Sequence, residues 1–313
     1  MKSLTWLLAA AETVGGQAVM EGVMIRSKNC LAIAVRKPGG EILVQTRPWF
    51  TLAKWGWLKK PFLRGFPVLL ETLVNGISAL NFSAKEALDE EQGELSPWAM
   101  TLTMVGAIGF ALALFVVLPH LFSLGMKALG YSGGAEDLSF HLWDAAFKLV
   151  LFVGYILAIS FLPDIRRVFQ YHGAEHKVIW AFESNIELSP QAVRDFSRLH
   201  PRCGTTFLLF VLAVSILLYA FLVPLFLHWW EPANAVLKQV YVIGLKFVLM
   251  VPISSVAYEI IKFAGRFNNN VFCKLLSCPG LAMQMLTTHE PDEGQLEVAI
   301  AALKGAVDNH PKA

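Results

Sequence analysis

The sequence predicts a mainly α-helical integral membrane protein: four membrane-crossing helices with a small cytoplasmic α+β portion, made of an N-terminal β-hairpin and interfacial helices. Three observations predict it. Hydrophobic residues make up 55% of the 313 positions and charged residues only 16%, against about 25% charged in soluble domains. Four apolar runs approach or exceed the ~20 residues that a helix rising about 1.5 Å per residue needs to cross a hydrocarbon layer about 30 Å thick. Lysine and arginine are sparse in two of the connections between those runs and plentiful elsewhere.

In chain order, the N-terminal region (1–97) comes first. No apolar core with a small-residue cleavage site lies around Glu12, so no signal peptide is expected. Gly15 to Arg26 carries Val19, Val23 and Ile25 and reads as a third strand or a loop packed against the hairpin. Cys30–Arg36 and Glu41–Arg47 alternate around Lys37-Pro38-Gly39-Gly40, the pattern of a β-hairpin. Pro61–Ser83 has apolar residues at helical spacing but also Arg64 and Glu71, which predicts an interfacial helix rather than a fifth span. The acidic stretch Glu86–Glu94 reads as a solvated linker.

The membrane domain (98–258) follows. Ala99–Leu118 and Thr205–Trp230 are the clearest spans. Trp143–Pro163 and Val240–Tyr258 each carry a lysine about five residues in, Lys148 and Lys246, which is expected to snorkel to the headgroups on its long stem. Each lysine opens a similar apolar run, Lys148-Leu-Val-Leu-Phe-Val and Lys246-Phe-Val-Leu-Met-Val, a likeness that apolar helices share by composition. The tail (259–313) ends in an amphipathic helix over Gln295–Val307.

Charge fixes the expected orientation. Residues 1–97 hold eleven Lys or Arg, the 164–204 loop six and the tail five, whereas the two short connections hold one each, Lys127 and Lys238. Positive charge stays inside, so both termini and the 164–204 loop are expected in the cytoplasm, and the protein in the cytoplasmic (inner) membrane with the bilayer as its first partner. The four cysteines, Cys30, Cys203, Cys273 and Cys278, then face a reducing compartment as free thiols or metal ligands. A net charge of +2 excludes nucleic-acid binding driven by bulk electrostatics.

The most specific chemistry is Tyr171-His172-Gly173-Ala174-Glu175-His176-Lys177. On a helix, His172 and His176 project from one face four residues apart, with Glu175 beside them. This HxxEH order is the inverse of the zinc-binding HExxH, in which two imidazoles hold Zn²⁺ and the carboxylate is the general base. Zinc, or another divalent transition metal, is therefore the expected cofactor. A catalytic site needs a third protein ligand, for which His200, Cys203 and Glu259 are the candidates. Binding by both His200 and Cys203 would close a structural tetrahedron; one of the three alone would leave a position for water. Reaching Glu259 requires either that the second helix bend near Pro163 or that the HxxEH helix lie along the membrane surface. Glu21 and Arg26 read as a strand-surface ion pair, and Arg166-Arg167 as an anchor to anionic headgroups.

The segments Gly15–Arg26, Tyr171–Lys177, His200-Pro201-Arg202-Cys203-Gly204-Thr205, Thr287-Thr288-His289-Glu290-Pro291 and Glu297–Ile300 closely resemble the bacterial YqhQ-like family of membrane proteins, often labelled predicted metal-dependent enzymes. The resemblance spans nearly the whole chain and implies a shared fold in a bacterial inner membrane. His289 stands where that family commonly has arginine.

The expected function is a metal-dependent hydrolase at the inner interface, with Glu175 catalytic and a membrane-associated peptide, or else a lipid, as substrate. A non-enzymatic scaffold with a closed metal clasp is the second reading. A transporter is the third, ranked last because the spans supply few facing polar groups, chiefly Ser160, Ser215, Ser254 and Ser255.

Overall fold

The computed structural model describes residues 14–28, 30–52, 56–87, 97–201, 203–266 and 271–308. The region around Glu12, where no signal peptide is expected, most of the acidic linker, Arg202 and the side chain of Cys273 lie outside the described residues. The chain is mainly helical with one small antiparallel sheet.

The sheet is a four-stranded meander, β1 (Val14–Val19), β2 (Gly22–Ser27), β3 (Cys30–Arg36) and β4 (Ile42–Pro48), paired in sequence order. The predicted hairpin is β3 and β4, in register from Cys30↔Pro48 to Arg36↔Ile42. Gly40, at φ +87°, supplies the left-handed conformation its turn needs. The segment before it forms a second hairpin rather than a single strand, turning at Met20-Glu21.

Strand β3 shows why alternation is incomplete as a guide. All but one of its residues are buried, because helices cover both faces of the sheet. On one face Val23, Ile25, Ala32 and Ala34 pack against α5 (Pro163–Glu183) and α10 (Glu293–Asp308). On the other, Val19, Met24, Leu31, Ile33 and Val35 pack against Trp49 and against Ala79 of α1 (Gly65–Ala87). The predicted interfacial helix is thus α1, and its buried Glu71 accepts hydrogen bonds from Thr51 and from the backbone of Leu52 at 2.8 Å each.

Among the described residues, four helical segments are long and apolar enough to cross a membrane: Thr101–Ala128, Leu138–Ser160, Leu209–Trp229 and Ala235–Phe263. The first runs ten residues beyond the predicted Leu118, through α2 (Pro97–Leu112), a π-helical turn and α3 (Leu118–Ala128). The others belong to α4 (Leu138–Ser160), α7 (Gly204–Trp229) and α8 (Ala235–Arg266). Short α6 (Pro190–Arg194) precedes α7, and α9 (Val271–Thr287) returns along α7, α4 and α8. Near Pro163 the chain breaks rather than bends: α4 ends at Ser160, Leu162 is extended, and Pro163 starts α5, as proline disfavours helix in the residue before it.

The two lysines do not snorkel. Lys246 is fully buried and donates to Asp144 Oδ1 at 2.6 Å, and Lys148 donates to Asp144 Oδ2 at 3.0 Å. Asp144 lies one turn before Lys148 on α4 and faces Lys246 across the α4–α8 contact, so one buried carboxylate serves both ammoniums. The expectation that the spans lack facing polar groups fails at the same place.

Candidate metal centre

Helix α5 carries His172, Glu175 and His176 on its buried side; Glu175 and His176 are 4% and 1% exposed. The helix can lie this close to its neighbours because Gly173 has no side chain, where a Cβ would stand 2.2 Å from the carbonyl oxygen of His289. The two imidazole centroids are 4.4 Å apart. Cys203, at the mouth of α7, completes the group: one ligand atom from each of His172, His176 and Cys203 lies within 4.8 Å of the others. Ligand atoms around a tetrahedral zinc ion sit about 3.3–3.7 Å apart, so the three side chains need only a small inward movement.

The tautomers favour the same arrangement. His172 Nδ1 donates to the carbonyl of Thr287 at 2.8 Å, and His176 Nδ1 donates to the carbonyl of Arg198 at 2.5 Å. A carbonyl only accepts, so both neutral rings keep their lone pairs on Nε2, the side that faces Cys203. The Cys203 thiol donates to His172 Nε2 at 3.2 Å, while His176 Nε2 is buried with no hydrogen-bond partner of normal geometry. Burial, the largest influence, holds His176 below the usual histidine range, which keeps it an electron-pair donor at neutral pH. The donor set of two imidazoles and a thiol therefore suits zinc.

Glu175 stands beside these atoms without filling the gap between them. Its Oε2 is 3.8 Å from His176 Nε2 and 4.0 Å from His172 Nε2. Burial pushes its carboxyl above the usual range, opposed by His172, His200 and a hydrogen bond from the Gly16 backbone. A raised carboxyl next to a thiol and two imidazole lone pairs is the composition expected of a general base.

A family model described as "Protein of unknown function (DUF1385)" matches residues 60–309. A protein of Bacillus subtilis (strain 168), described as "Uncharacterized protein YqhQ", is 36% identical over 299 residues, covering 91% of this chain and 89% of that one. The chain belongs to the DUF1385 family. No solved structure matches it. The stretch matched by the DUF1385 model contains His172, Glu175, His176 and Cys203 but begins after strands β1–β4.

In this DUF1385 chain the other predicted ligands lie elsewhere. His200 is buried, its ring centroid 5.8 Å from that of His176, and its Nε2 lies 3.6 Å from Glu183 Oε2. Glu259 does not join the cluster: Arg64 grips both its oxygens, at 2.7 and 2.6 Å. Its partner is thus a cation from the N-terminal region, neither a metal nor the nearby Lys262. Glu21 and Arg26 also part company. Arg167 and the Tyr171 hydroxyl donate to Glu21, and Arg26 stacks 3.9 Å over the Trp49 ring.

Sequence reasoning missed the residues that hold the ligands in place. Gln284 of α9 accepts from the His200 backbone N–H and donates to its carbonyl, each at 2.8 Å, pinning the turn before Cys203. Lys177 and Arg198 reach Glu290, at 2.8 and 3.7 Å, Arg198 also donates to the Thr288 carbonyl, and His289 N donates to Phe169 O at 2.9 Å. The Thr287–Pro291 segment, noted for its resemblance, is therefore a strap across α5. Its main role here is through backbone carbonyls, which a side-chain motif does not report.

Proposed function

We propose that this chain is an integral membrane metal-dependent hydrolase with its site at the cytoplasmic interface. The observation that carries the reading is the convergence of His172 Nε2, His176 Nε2 and Cys203 Sγ, with the Glu175 carboxylate within 4 Å of both ring nitrogens. His172, His176 and Cys203 would hold the ion, and three protein ligands are the number found in catalytic rather than structural zinc sites. Zinc held there would supply a Lewis acid that makes water a nucleophile at neutral pH. Glu175 would hold and move a proton at Oε2, as general base toward an attacking water and then as acid toward the leaving group. His172 and His176 are held in register for this by the Thr287 and Arg198 carbonyls.

The membrane setting is supported by the outward faces of the apolar helices, where Val150 of α4, Leu217 and Phe221 of α7 and Val248 of α8 are 68–72% exposed, an arrangement that suits lipid rather than water. The lysine and arginine asymmetry supports cytoplasmic termini and a cytoplasmic site in the inner membrane. The substrate class that fits a site on this side is a membrane-associated peptide, with a lipid ester second, by analogy with the chemistry of the motif alone. The clasp reading would need His200 as a fourth ligand, and its nearness to Glu183 favours the open site instead.

Elemental analysis of protein purified in chelator-free detergent tests the reading. About one zinc per chain is expected, retained in Glu175→Gln and lost in His172→Ala. Metal-free wild-type protein that takes up no zinc on addition overturns it.

A further inference from the structure

Away from the His172–Cys203 centre, the apolar helices enclose a second group of ionisable side chains. Lys246 of α8 donates to Asp144 of α4, and Lys148, one turn further along α4, donates to the other carboxylate oxygen. Asp144 stands about 9 Å along α4 from its start at Leu138, and Lys246 about 16 Å along α8 from Ala235. The group therefore lies within the apolar length, not at its end.

Two histidines complete it. His120 of α3 is fully buried and donates from Nε2 to Gln239 Oε1 at 3.0 Å; His141 of α4, 1% exposed, donates from Nε2 to the Ala135 carbonyl at 2.9 Å. Each ring then carries its lone pair on Nδ1, and both Nδ1 atoms are buried without a hydrogen-bond partner. Asp144 and Lys246 lie near enough to act electrostatically on both rings. From α7 the facing group is Tyr219, whose hydroxyl donates to the Lys246 carbonyl and whose ring lies 5.5 and 5.6 Å from the two ammoniums.

The charge count is uneven: one carboxylate faces two ammoniums, with two spare imidazole acceptors nearby. A clasp between α4 and α8 needs Asp144 and a single lysine, so it explains neither the second cation nor the histidines. Buried acceptors without a donor are costly. An anion brings them no hydrogen, whereas a proton at Nδ1 turns each ring into a donor, and Asp144 is the nearby carboxylate that favours the charged form against Lys246 and burial. The end of the bundle nearest the histidines is also polar: Lys238, beside Gln239, donates to Glu136 at 3.1 Å and to Glu231 at 2.6 Å, and Glu136 follows Ala135. Ionisable groups placed at this depth in apolar helices are functional by default.

We propose that the four-helix bundle contains a proton-binding site at Asp144, in which His120 and His141 take up protons at Nδ1 from the end of the bundle formed by the 129–137 and 230–234 connections. Each uptake turns a neutral imidazole into an imidazolium, and Asp144 is the anion shared by every cation in the group. A charged ring therefore competes with Lys246 for Asp144, which couples the proton to the contact between α4 and α8. The site is independent of the metal centre.

The test is ¹⁵N-histidine NMR of the full chain in lipid nanodiscs, titrated between about pH 8 and about pH 4, a range that brackets the ordinary histidine value, with His120→Gln and His141→Gln used to assign the signals. Both rings should begin as neutral Nε2–H tautomers and gain a proton at Nδ1 within the range. In Lys246→Met both midpoints should move by about one pH unit or more, the size expected when a nearby buried charge is removed. The wild-type titration stands without that variant: either ring remaining neutral throughout overturns the proposal, as do midpoints that Lys246→Met leaves in place, and the group is then a structural clasp.

Discussion

Gly16 lies against Glu175 so closely that a Cβ on the glycine would stand 2.7 Å from both Cγ and Oε1 of the carboxylate side chain and 2.8 Å from the Met24 carbonyl. The first strand thereby sets the position of the Glu175 carboxylate, by its backbone and by the side chain it lacks. Gly16→Ala should displace Glu175 or the strand and destabilise the protein by about 1–3 kcal/mol, the usual cost of overpacking. Thermal melts of the two proteins check this, and an unchanged melting temperature would count against the close approach.

The buried carboxylate itself carries a stability cost when no cation faces it. Its folded value is raised by burial above the ordinary 4.5, so the folded state holds this proton more tightly than the unfolded chain does. Its contribution to stability is therefore present at low pH and is lost as pH rises from the ordinary value through the raised one. With chelator present, Glu175→Gln should be more stable than wild type at neutral pH, by about 1–3 kcal/mol, and should lack this pH-dependent loss. Denaturation followed across pH, with and without chelator, measures both.

Three ligands predict a particular pattern of zinc loss. His172→Ala, His176→Ala and Cys203→Ala should each lower zinc affinity by well over tenfold, because each removes a direct ligand. His200→Gln should hold zinc to within about tenfold of wild type, the smaller effect of a neighbouring group. Competition with a metallochromic chelator resolves the two cases; a loss in His200→Gln equal to that in Cys203→Ala would restore the four-ligand clasp.

Glu259 provides a control. Its bidentate pair with Arg64 ties α8 to the entry of α1, so Glu259→Gln should leave zinc binding unchanged and cost about 1–3 kcal/mol of stability, the range for hydrogen bonds to charged groups. Zinc titration and thermal melting of the one variant separate these outcomes.

Within the chain alone, local patterns were enough to reveal four long apolar helices, the β3–β4 hairpin, the helical character of 61–83 and 295–307, and an HxxEH helix with two histidines on one face. Each depends on periodicity or run length over neighbouring residues, which a sequence displays directly. What only the tertiary structure decided are the pairings between distant segments. Arg64 answers Glu259 across 195 residues, Lys246 of α8 meets Asp144 of α4, a residue that sequence reading had not weighed, and Cys203 rather than His200 turns toward His172. The β1–β2 hairpin was half legible, since a sheet covered on both faces loses the alternation that marks a strand. Such choices follow from which opposite charge or lone pair lies nearest once the chain is packed and water excluded, and nearness in space is not written in residue order.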